Sequence, residues 1–268
     1  MGRRVGLANR GQTCFLNSAL QCLSHVPELS NRLLKQPYEG DCAVTREYAK
    51  LVRTMWSKDR PKVIDPASFH EAFVKKFPRF ANQEPHYVQE VVLELIDTFE
   101  KSLGVGFVQS VFNGTETQEV TYPGGTSKKD SDVTLIVVHP TRQGQSLEEL
   151  MQQRGSYHAF SGYVDDMGQE YHAAVTRTLL TKMPLTLIVS FGQYDKKYSV
   201  RVPHKFEGYI LFGLVMHIGS TAGGHYLSFV KHKGVWCCAD DDTVVDREPP
   251  ETGQYYLAFY KKSLQKVT

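Results

Sequence analysis

Residues 6–23 read Gly-Leu-Ala-Asn-Arg-Gly-Gln-Thr-Cys-Phe-Leu-Asn-Ser-Ala-Leu-Gln-Cys-Leu. From Cys14 onward the stretch is apolar on more than one face until Pro27, which predicts a helix buried on nearly all sides. A cysteine in the first turn faces unpaired backbone N–H groups and the positive end of the helix dipole, which favours a thiolate. A lone buried cysteine is more often a small core residue, so a catalytic role for Cys14 requires a base.

His225 is the base that the sequence offers. It follows the glycine-bearing stretch 219–224 and begins a strand-like run, so we expect it to be anchored and yet to reach an open cleft. The next strand-like run ends in the three carboxylates of 240–242. Strand periodicity puts Asp240 on one face with Trp236, and we expect Asp240 to orient the imidazole as a third triad member. A solvated turn or a weak cation site is the alternative for these aspartates.

Apolar periodicity divides the chain into a helical part and a strand-rich part. Helical spacing runs through 48–56, follows Asp65-Pro66, and recurs through 88–99 up to Gly104. The later segments predicted as strands are Val108–Phe112, Thr115–Tyr122, Val133–His139, Leu185–Phe191, Tyr209–His217, Tyr226–Lys231, Val235–Ala239 and Tyr255–Tyr260. This order predicts the α+β class with any catalytic cleft between the two parts.

Two local signals punctuate the strand-rich part. Ser146 and Glu149 have the spacing of a capping box, which predicts that a helix begins there. The polar stretch 123–130 carries Pro and Gly, so we expect a loop or a hairpin tip.

Composition excludes several classes of function. The 268 residues carry 31 basic and 29 acidic side chains, interspersed along the chain, so nothing favours nucleic acid as a partner. No apolar run approaches the roughly 18 residues that span a bilayer, so we expect no membrane partner. The five cysteines form no CxxC pair, which disfavours a disulfide framework and a cysteine-rich zinc site. We expect an intracellular protein in a reducing compartment.

The stretch 6–23 closely resembles the Cys box of the ubiquitin-specific proteases. Gly224-His225-Tyr226, followed by Trp236, Asp240-Asp241 and the aromatic run 255–260, resembles that family's His box. The resemblance spans nearly the whole chain. It implies a papain-like fold with fingers, palm and thumb in one catalytic domain over 1–268. About 1–104 would form the thumb, and about 105–268 the palm with short fingers.

The resemblance also implies a role for each matching residue. Cys14 matches the nucleophile, His225 the general base and Asp240 the third triad member, while Asp241 is a neighbour often implicated and Asn9 matches the oxyanion-stabilising amide. The family's middle motif, Gln-Gln-Asp-Ala-x-Glu-Phe, maps onto 82–88, where Tyr87 replaces the Glu and Val88 the Phe. The residues expected to bind the substrate tail are Gln83, Glu84, Gly223, Gly224 and Tyr226.

The implied activity is thiol-dependent hydrolysis of the bond after the C-terminal glycine of ubiquitin or a ubiquitin-like modifier. The implied partners are therefore that modifier and its protein conjugates. Many family members bind zinc through four cysteines in the fingers, but residues 105–182 contain no cysteine, so we expect neither metal nor cofactor. A catalytically weak ubiquitin-binding module and a polyprotein-processing cysteine protease are the alternatives.

Overall fold

The N-terminal part of the protein is a layer of helices. The structure, a computed structural model, describes residues 5–82, 84, 86–193, 196–220 and 223–263. The elements of this layer, in chain order, are β1 (Gly6–Leu7), α1 (Cys14–Leu23), α2 (Pro27–Lys35), α3 (Ala43–Trp56), β2 (Val63–Ile64), α4 (Ala67–Lys76), a 3₁₀ helix (Pro78–Phe80), α5 (Val88–Leu103) and α6 (Val105–Phe112). The predicted apolar stripe of α5 is confirmed, since Val88, Val92 and Phe99 are fully buried.

The C-terminal part consists of sheets and one further helix, α7 (Leu147–Arg154). Its strands are β3 (Gly114–Tyr122), β4 (Gly125–Val133), β5 (Ile136–Val138), β6 (Gln145–Ser146), β7 (His158–Phe160), β8 (Tyr163–Val164), β9 (Glu170–Tyr171), β10 (Ala174–Lys182), β11 (Thr186–Phe191), β12 (Val200–Arg201), β13 (Lys205–Phe206), β14 (Tyr209–Ser220), β15 (Gly223–His232), β16 (Val235–Asp240), β17 (Thr243–Asp246), β18 (Thr252–Gly253) and β19 (Tyr255–Lys262). The predicted order of helices before strands is therefore confirmed, as is the α+β class.

Two sheets dominate this part. The larger sheet has the order β17-β16-β15-β14-β19-β11-β5, with β13 paired to β14. A separate four-stranded sheet, β4-β3-β10-β7, projects the long hairpin of β3 and β4. This second sheet falls within the range 105–268, for which a palm with short fingers is predicted.

Helix α1 lies between the helical layer and the larger sheet. All ten of its residues are buried, and it packs against α5 on one side and β15 on the other. Cys237 of β16 belongs to the core shared with the helices, whereas Trp236 and Cys238 belong to the core on the opposite face of the sheet. The predicted alternation along β16 is confirmed, and Asp240 is the last residue of this strand.

One predicted strand is wrong and one predicted loop is too long. Val108–Phe112 belongs to helix α6, where Val108, Val111 and Phe112 are buried at i, i+3 and i+4. This β-branched run resembles a strand locally, but its burial against neighbouring elements follows the helical period. In the stretch 123–130 only the first two residues form the tip, because β4 begins at Gly125 and pairs along β3.

The capping box is confirmed at the start of α7. The Ser146 hydroxyl accepts the backbone N–H of Glu149, and the Glu149 carboxylate accepts the backbone N–H of Ser146. Among the described residues, no helix is long and apolar enough to cross a membrane.

Candidate active site

Cys14 is the first residue of α1 and lies where this helix meets β15. The turn before it is held by Asn9, whose Oδ1 accepts the backbone N–H groups of Gly11 (2.9 Å) and Thr13 (3.3 Å). Gly11 has φ of 90° and Gln12 of 52°, so the chain reverses sharply just before the helix. The result is a nearly buried thiol, 8% exposed, at the edge of a cleft.

His225 and Asp240 are joined by a short hydrogen bond. Nε2 of His225, on β15, lies 2.5 Å from Oδ1 of Asp240, at the end of β16. The antiparallel pairing of these strands brings the two side chains to one end of the sheet. Because Asp240 holds Nε2, the other ring nitrogen, Nδ1, is the one that can exchange a proton within the cleft.

Cys14 and His225 line the same cleft without being hydrogen-bonded to each other. Within the described part of the chain, no hydrogen bond joins Cys14 Sγ to the imidazole. The backbone N–H of Tyr226, the residue after His225, instead faces the thiol and lowers its pKa. The structure thus places the two predicted catalytic residues in one cleft without direct contact between the thiol and the imidazole.

The prediction of a thiolate at Cys14 is wrong for this arrangement. Burial raises the pKa of the Cys14 thiol, and the negative charge of Asp241 raises it further. Backbone hydrogen bonds from Tyr226 and the start of α1 lower the pKa, but they do not offset burial. Cys14 is therefore a neutral thiol near pH 7, and its attack on a carbonyl requires a base that removes the proton.

Asp241 ties the N-terminal segment and α1 to the turn that follows β16. Its Oδ2 accepts Nδ2 of Asn9 at 2.7 Å, and its Oδ1 accepts Nδ2 of Asn17 at 2.8 Å. Its backbone carbonyl accepts the N–H of Leu7, also at 2.8 Å. The His225 Nε2 atom lies 4.0 Å from Asp241 Oδ2, well beyond its distance to Asp240. Asp240 contacts the imidazole directly, whereas Asp241 fixes the parts around it.

Ligand atoms of His225, Asp240 and Asp241 lie within 4.8 Å of one another, close enough for a cation to bridge them. Hydrogen bonds already account for this cluster. Asp240 is the partner of the imidazole, and both Asp241 oxygens accept side-chain amides. The arrangement therefore fits an orienting network better than the weak cation site considered from the sequence.

The cleft has a volume of about 490 Å³ and is lined by Asn9, Gln12, Cys14, Phe15, Glu84, His86, His217, Gly223, Gly224, His225 and Tyr226. The structure thus brings the predicted substrate-binding residues Glu84, Gly223, Gly224 and Tyr226 to the nucleophile. Gln83, also predicted to bind substrate, lies outside the described residues. Sequence reasoning missed three aromatic members of the lining, Phe15, His86 and His217.

His217 explains why position 224 is a glycine. A Cβ atom at position 224 would lie 2.2 Å from Cε1 of His217, so the ring fills the space that any other side chain needs. His217 pairs in register with Tyr226 across β14 and β15 and is 8% exposed. Burial, with the positive charges of Lys197 and His225, lowers the pKa of His217 to about 4. His217 carries no motif that marks it in the sequence, and its place in the cleft follows from its pairing opposite Tyr226.

Comparisons with known proteins indicate one family. The family model described as "Ubiquitin carboxyl-terminal hydrolase" matches residues 5–260. The chain is 23% identical to ubiquitin carboxyl-terminal hydrolase 25 of Arabidopsis thaliana over 325 residues, covering 99% of this chain and 48% of that protein. It is 36% identical to human ubiquitin carboxyl-terminal hydrolase 2 over 101 residues, 35% of this chain and 17% of that protein. The chain thus spans less than half the length of these curated relatives.

A solved structure shares the fold. A chain in the SAGA Ubp8/Sgf11/Sus1/Sgf73 DUB module bound to ubiquitin aldehyde matches with a TM-score of 0.82 and 19% identity. The match covers 97% of this chain and 70% of that one.

Proposed function

The chain belongs to the ubiquitin carboxyl-terminal hydrolase family, and from this premise we propose that it is a thiol-dependent deubiquitinase. It hydrolyses the isopeptide or peptide bond after the C-terminal glycine of ubiquitin or a ubiquitin-like modifier. The observation that carries the proposal is the convergence of Cys14 with the hydrogen-bonded His225–Asp240 pair in one cleft. This is the pairing of nucleophile, base and orienting group that acyl transfer requires.

The proposed mechanism begins with proton transfer from a neutral thiol. Nδ1 of His225 takes the proton of Cys14 as Sγ attacks the scissile carbonyl, and Asp240 stabilises the imidazolium through Nε2. The imidazolium then protonates the leaving amine, and an acyl-enzyme thioester remains on Cys14. Water attacks this thioester with His225 again acting as base, which releases the modifier and restores the thiol.

The developing oxyanion is met by Asn9 and by backbone N–H groups at the start of α1. Asn9 lines the cleft, and Asp241 holds its amide at 2.7 Å, so this donor is positioned before substrate binds. Loss of one oxyanion donor costs about 3–4 kcal/mol of barrier in comparable sites. Asp241 is accordingly a positioning residue for Asn9 in this proposal.

The modifier's tail enters between the glycines of β15 and the segment before α5. Gly223, where a Cβ atom would meet nothing within 4 Å, leaves room for an extended backbone, and Gly224 lines the same channel. Tyr226 and Glu84 offer an aromatic wall and a carboxylate. We assign Gln83 to the same channel from its place in the sequence. In this proposal a single catalytic domain contains the site, with a thumb over about 1–104 and a palm with short fingers over about 105–268. The free thiols suit a reducing intracellular compartment.

The experiment that tests this function uses ubiquitin and a panel of ubiquitin-like proteins, each with a thiol-reactive electrophile at its C-terminus. We expect a covalent adduct on Cys14, identified by mass spectrometry, and no adduct with Cys14→Ala. Adduct formation should also fail with His225→Ala while modifier binding persists. If wild-type protein binds ubiquitin but reacts with no probe, the chain is a binding module and the proposed activity is wrong.

A further inference from the structure

A second cavity lies on the opposite side of the helix–sheet junction from the catalytic cleft. It has a volume of about 380 Å³ and is lined by His25, Pro27, Ser30, Asn31, Leu34, Trp56, Phe212, Lys231, His232, Lys233 and Lys261. α1 has Cys14 at its first residue and is followed by His25, while β15 carries His225 near its start and ends at His232. The two cavities therefore lie at opposite ends of the same two elements.

The rim of this second cavity is positively charged without a counter-charge. Lys233 and Lys261 are exposed there, and no carboxylate is among the lining residues. Within the described ranges neither of these lysines forms an ion pair, whereas Lys50, Lys101 and Lys128 pair with Glu47, Asp97 and Glu119. The cavity is therefore complementary to an anion.

Lys231 lines the cavity, but its ammonium group is engaged elsewhere. Its Nζ lies 5.3 Å from the ring centroid of Trp236, a cation–π contact on the other face of the sheet. The two ammonium groups that bound the cavity are thus those of Lys233 and Lys261.

The inner wall is aromatic and contains an unused acceptor. The Trp56 ring lies 5.5 Å from that of His25 and 5.0 Å from that of His232. His25 Nδ1 lies 2.8 Å from the backbone carbonyl of Gln21, so Nδ1 carries the hydrogen and Nε2 has a lone pair. That Nε2 atom is buried without a hydrogen-bond partner in the described structure. A wall of this kind suits an apolar or aromatic side chain with a donor nearby.

From this geometry we propose that the cavity binds a short acidic peptide segment of a partner protein. An apolar side chain of the segment enters between Trp56, Leu34 and Phe212, and flanking carboxylates contact Lys233 and Lys261. The volume matches a few side chains. A nucleic acid fits less well, because it requires cations that follow a backbone over several phosphates. Only two free ammonium groups are present at this rim.

Fluorescence polarisation of a fluorescein-labelled peptide Gly-Glu-Glu-Phe-Glu-Glu-Leu-Gly tests the proposal. We expect saturable binding that weakens with added salt, and a matched peptide with glutamine in place of every glutamate should bind at least tenfold more weakly, as charge complementarity requires. The double variant Lys233→Glu/Lys261→Glu should also lose about tenfold or more. The control Lys75→Glu/Lys129→Glu makes the same change in net charge at exposed positions outside the cavity and should retain binding within about twofold.

Two further measurements separate this cavity from other binding surfaces. Asn31→Trp fills the cavity from exposed helix α2 without changing the charge and should abolish peptide binding. A ubiquitin adduct on Cys14 should leave peptide binding unchanged, because the cleft and this cavity are distinct. The proposal is overturned if wild-type protein shows no saturable binding, if both double variants lose binding equally, if ubiquitin competes, or if an oligouridylate binds in preference. The peptide titrations and the competition with free ubiquitin require neither hydrolysis nor adduct formation, so the inference is tested separately from the proposed function.

Discussion

Nζ of Lys197 lies 2.7 Å from Nδ1 of His217 and donates a hydrogen bond to it. The same nitrogen donates to the backbone carbonyls of Ser220, at 2.7 Å, and Gly219, at 3.4 Å. His217 packs against the position that Gly224 leaves empty, beside His225. One ammonium group thus fixes the segment before β12 to the end of β14 and, through His217, to the glycines that line the cleft.

Replacing Lys197 with Met should impair substrate binding more than the chemical step. The variant keeps the length of the side chain but leaves two carbonyls and one imidazole without their donor, a loss of about 1.5–3 kcal/mol for a charged hydrogen-bond donor. We expect KM for a ubiquitin-based fluorogenic substrate to rise about tenfold with a smaller change in kcat. Lys196→Met, at the exposed neighbouring residue, is the control and should leave both constants unchanged. A fall in kcat alone would contradict a positioning role for Lys197.

The thiols of Cys14 and Cys42 should differ in reactivity, because the pKa of Cys14 is raised and that of Cys42 is lowered. Burial raises the pKa of Cys42, but hydrogen bonds from Thr45 and the positive charge of Lys76 outweigh it, so the net shift is downward. At neutral pH, iodoacetamide should therefore alkylate Cys42 faster than Cys14 in the free protein, as measured by mass spectrometry of each peptide. Faster labelling of Cys14 would show that its thiol is already ionised.

Asp241→Asn should increase the alkylation rate of Cys14 relative to that of Cys42. The negative charge of Asp241 raises the pKa of Cys14, so its removal lowers that pKa and should accelerate alkylation of Cys14 near neutral pH. Labelling of Cys42 serves as the internal standard. An unchanged ratio of the two rates would mean that Asp241 does not act on the thiol electrostatically.

Two histidines should make the fold sensitive to acid. Burial lowers the pKa of His25 to about 4, with the charge of His232 contributing, and His217 is lowered to about 4 in the same way. Between pH 6.5 and 4 the unfolded chain binds protons that the folded chain does not, so stability falls as the pH decreases. The loss approaches about 3 kcal/mol per histidine at the lower limit.

Urea denaturation from pH 7 to pH 5 measures this loss before most carboxylates titrate. His25→Gln should flatten the decline in unfolding free energy, because one of the two groups no longer titrates. His139→Gln, at an exposed position, is the matched control and should leave the slope as it is in wild-type protein. Equal slopes for all three proteins would exclude His25 as a source of the acid sensitivity.

Gly6 is required where the N-terminal strand crosses the turn after β16. A Cβ atom there would lie 2.1 Å from the backbone carbonyl oxygen of Asp242, so Gly6→Ala must displace this turn. We expect a loss of about 1–3 kcal/mol in unfolding free energy and reduced activity, since the turn follows Asp240 and contains Asp241. Gly106→Ala on α6 meets no atom within 4 Å and should be neutral or stabilising by up to about 1 kcal/mol. Similar effects of the two variants would contradict the close approach at Gly6.

The four-stranded sheet β4-β3-β10-β7 should be stable without metal because aromatic packing holds the tip of its long hairpin. The ring of Tyr122 lies 4.7 Å from those of Tyr163 and Tyr171, which belong to the small hairpin of β8 and β9. Tyr122→Leu should therefore lower the melting temperature or loosen the tip in hydrogen exchange, whereas a zinc chelator should change neither. About one zinc per chain in purified protein, with unfolding on chelation, would refute this account.

Some secondary-structure elements could be predicted from the sequence and others could not. α1, α5 and the capping box of α7 follow from patterns among residues close in the chain, and the structure has them where they were predicted. α6 was mistaken for a strand because five residues rich in Val and Phe do not specify a period by themselves. β4 carried no signal, since it is polar and largely exposed and exists through its pairing with β3.

The sequence by itself predicted the side chains that we propose to carry the chemistry, and it determined the helix that presents Cys14, because these depend on residue type and on near neighbours. Only the tertiary structure decided the protonation of that thiol, since burial and the charge of Asp241 come from parts of the chain far from α1. It also decided the contact of Lys197 with His217 and the uncompensated lysines around the second cavity. Such features depend on which surfaces meet when the sheet packs on the helices, and no local pattern of residues specifies that.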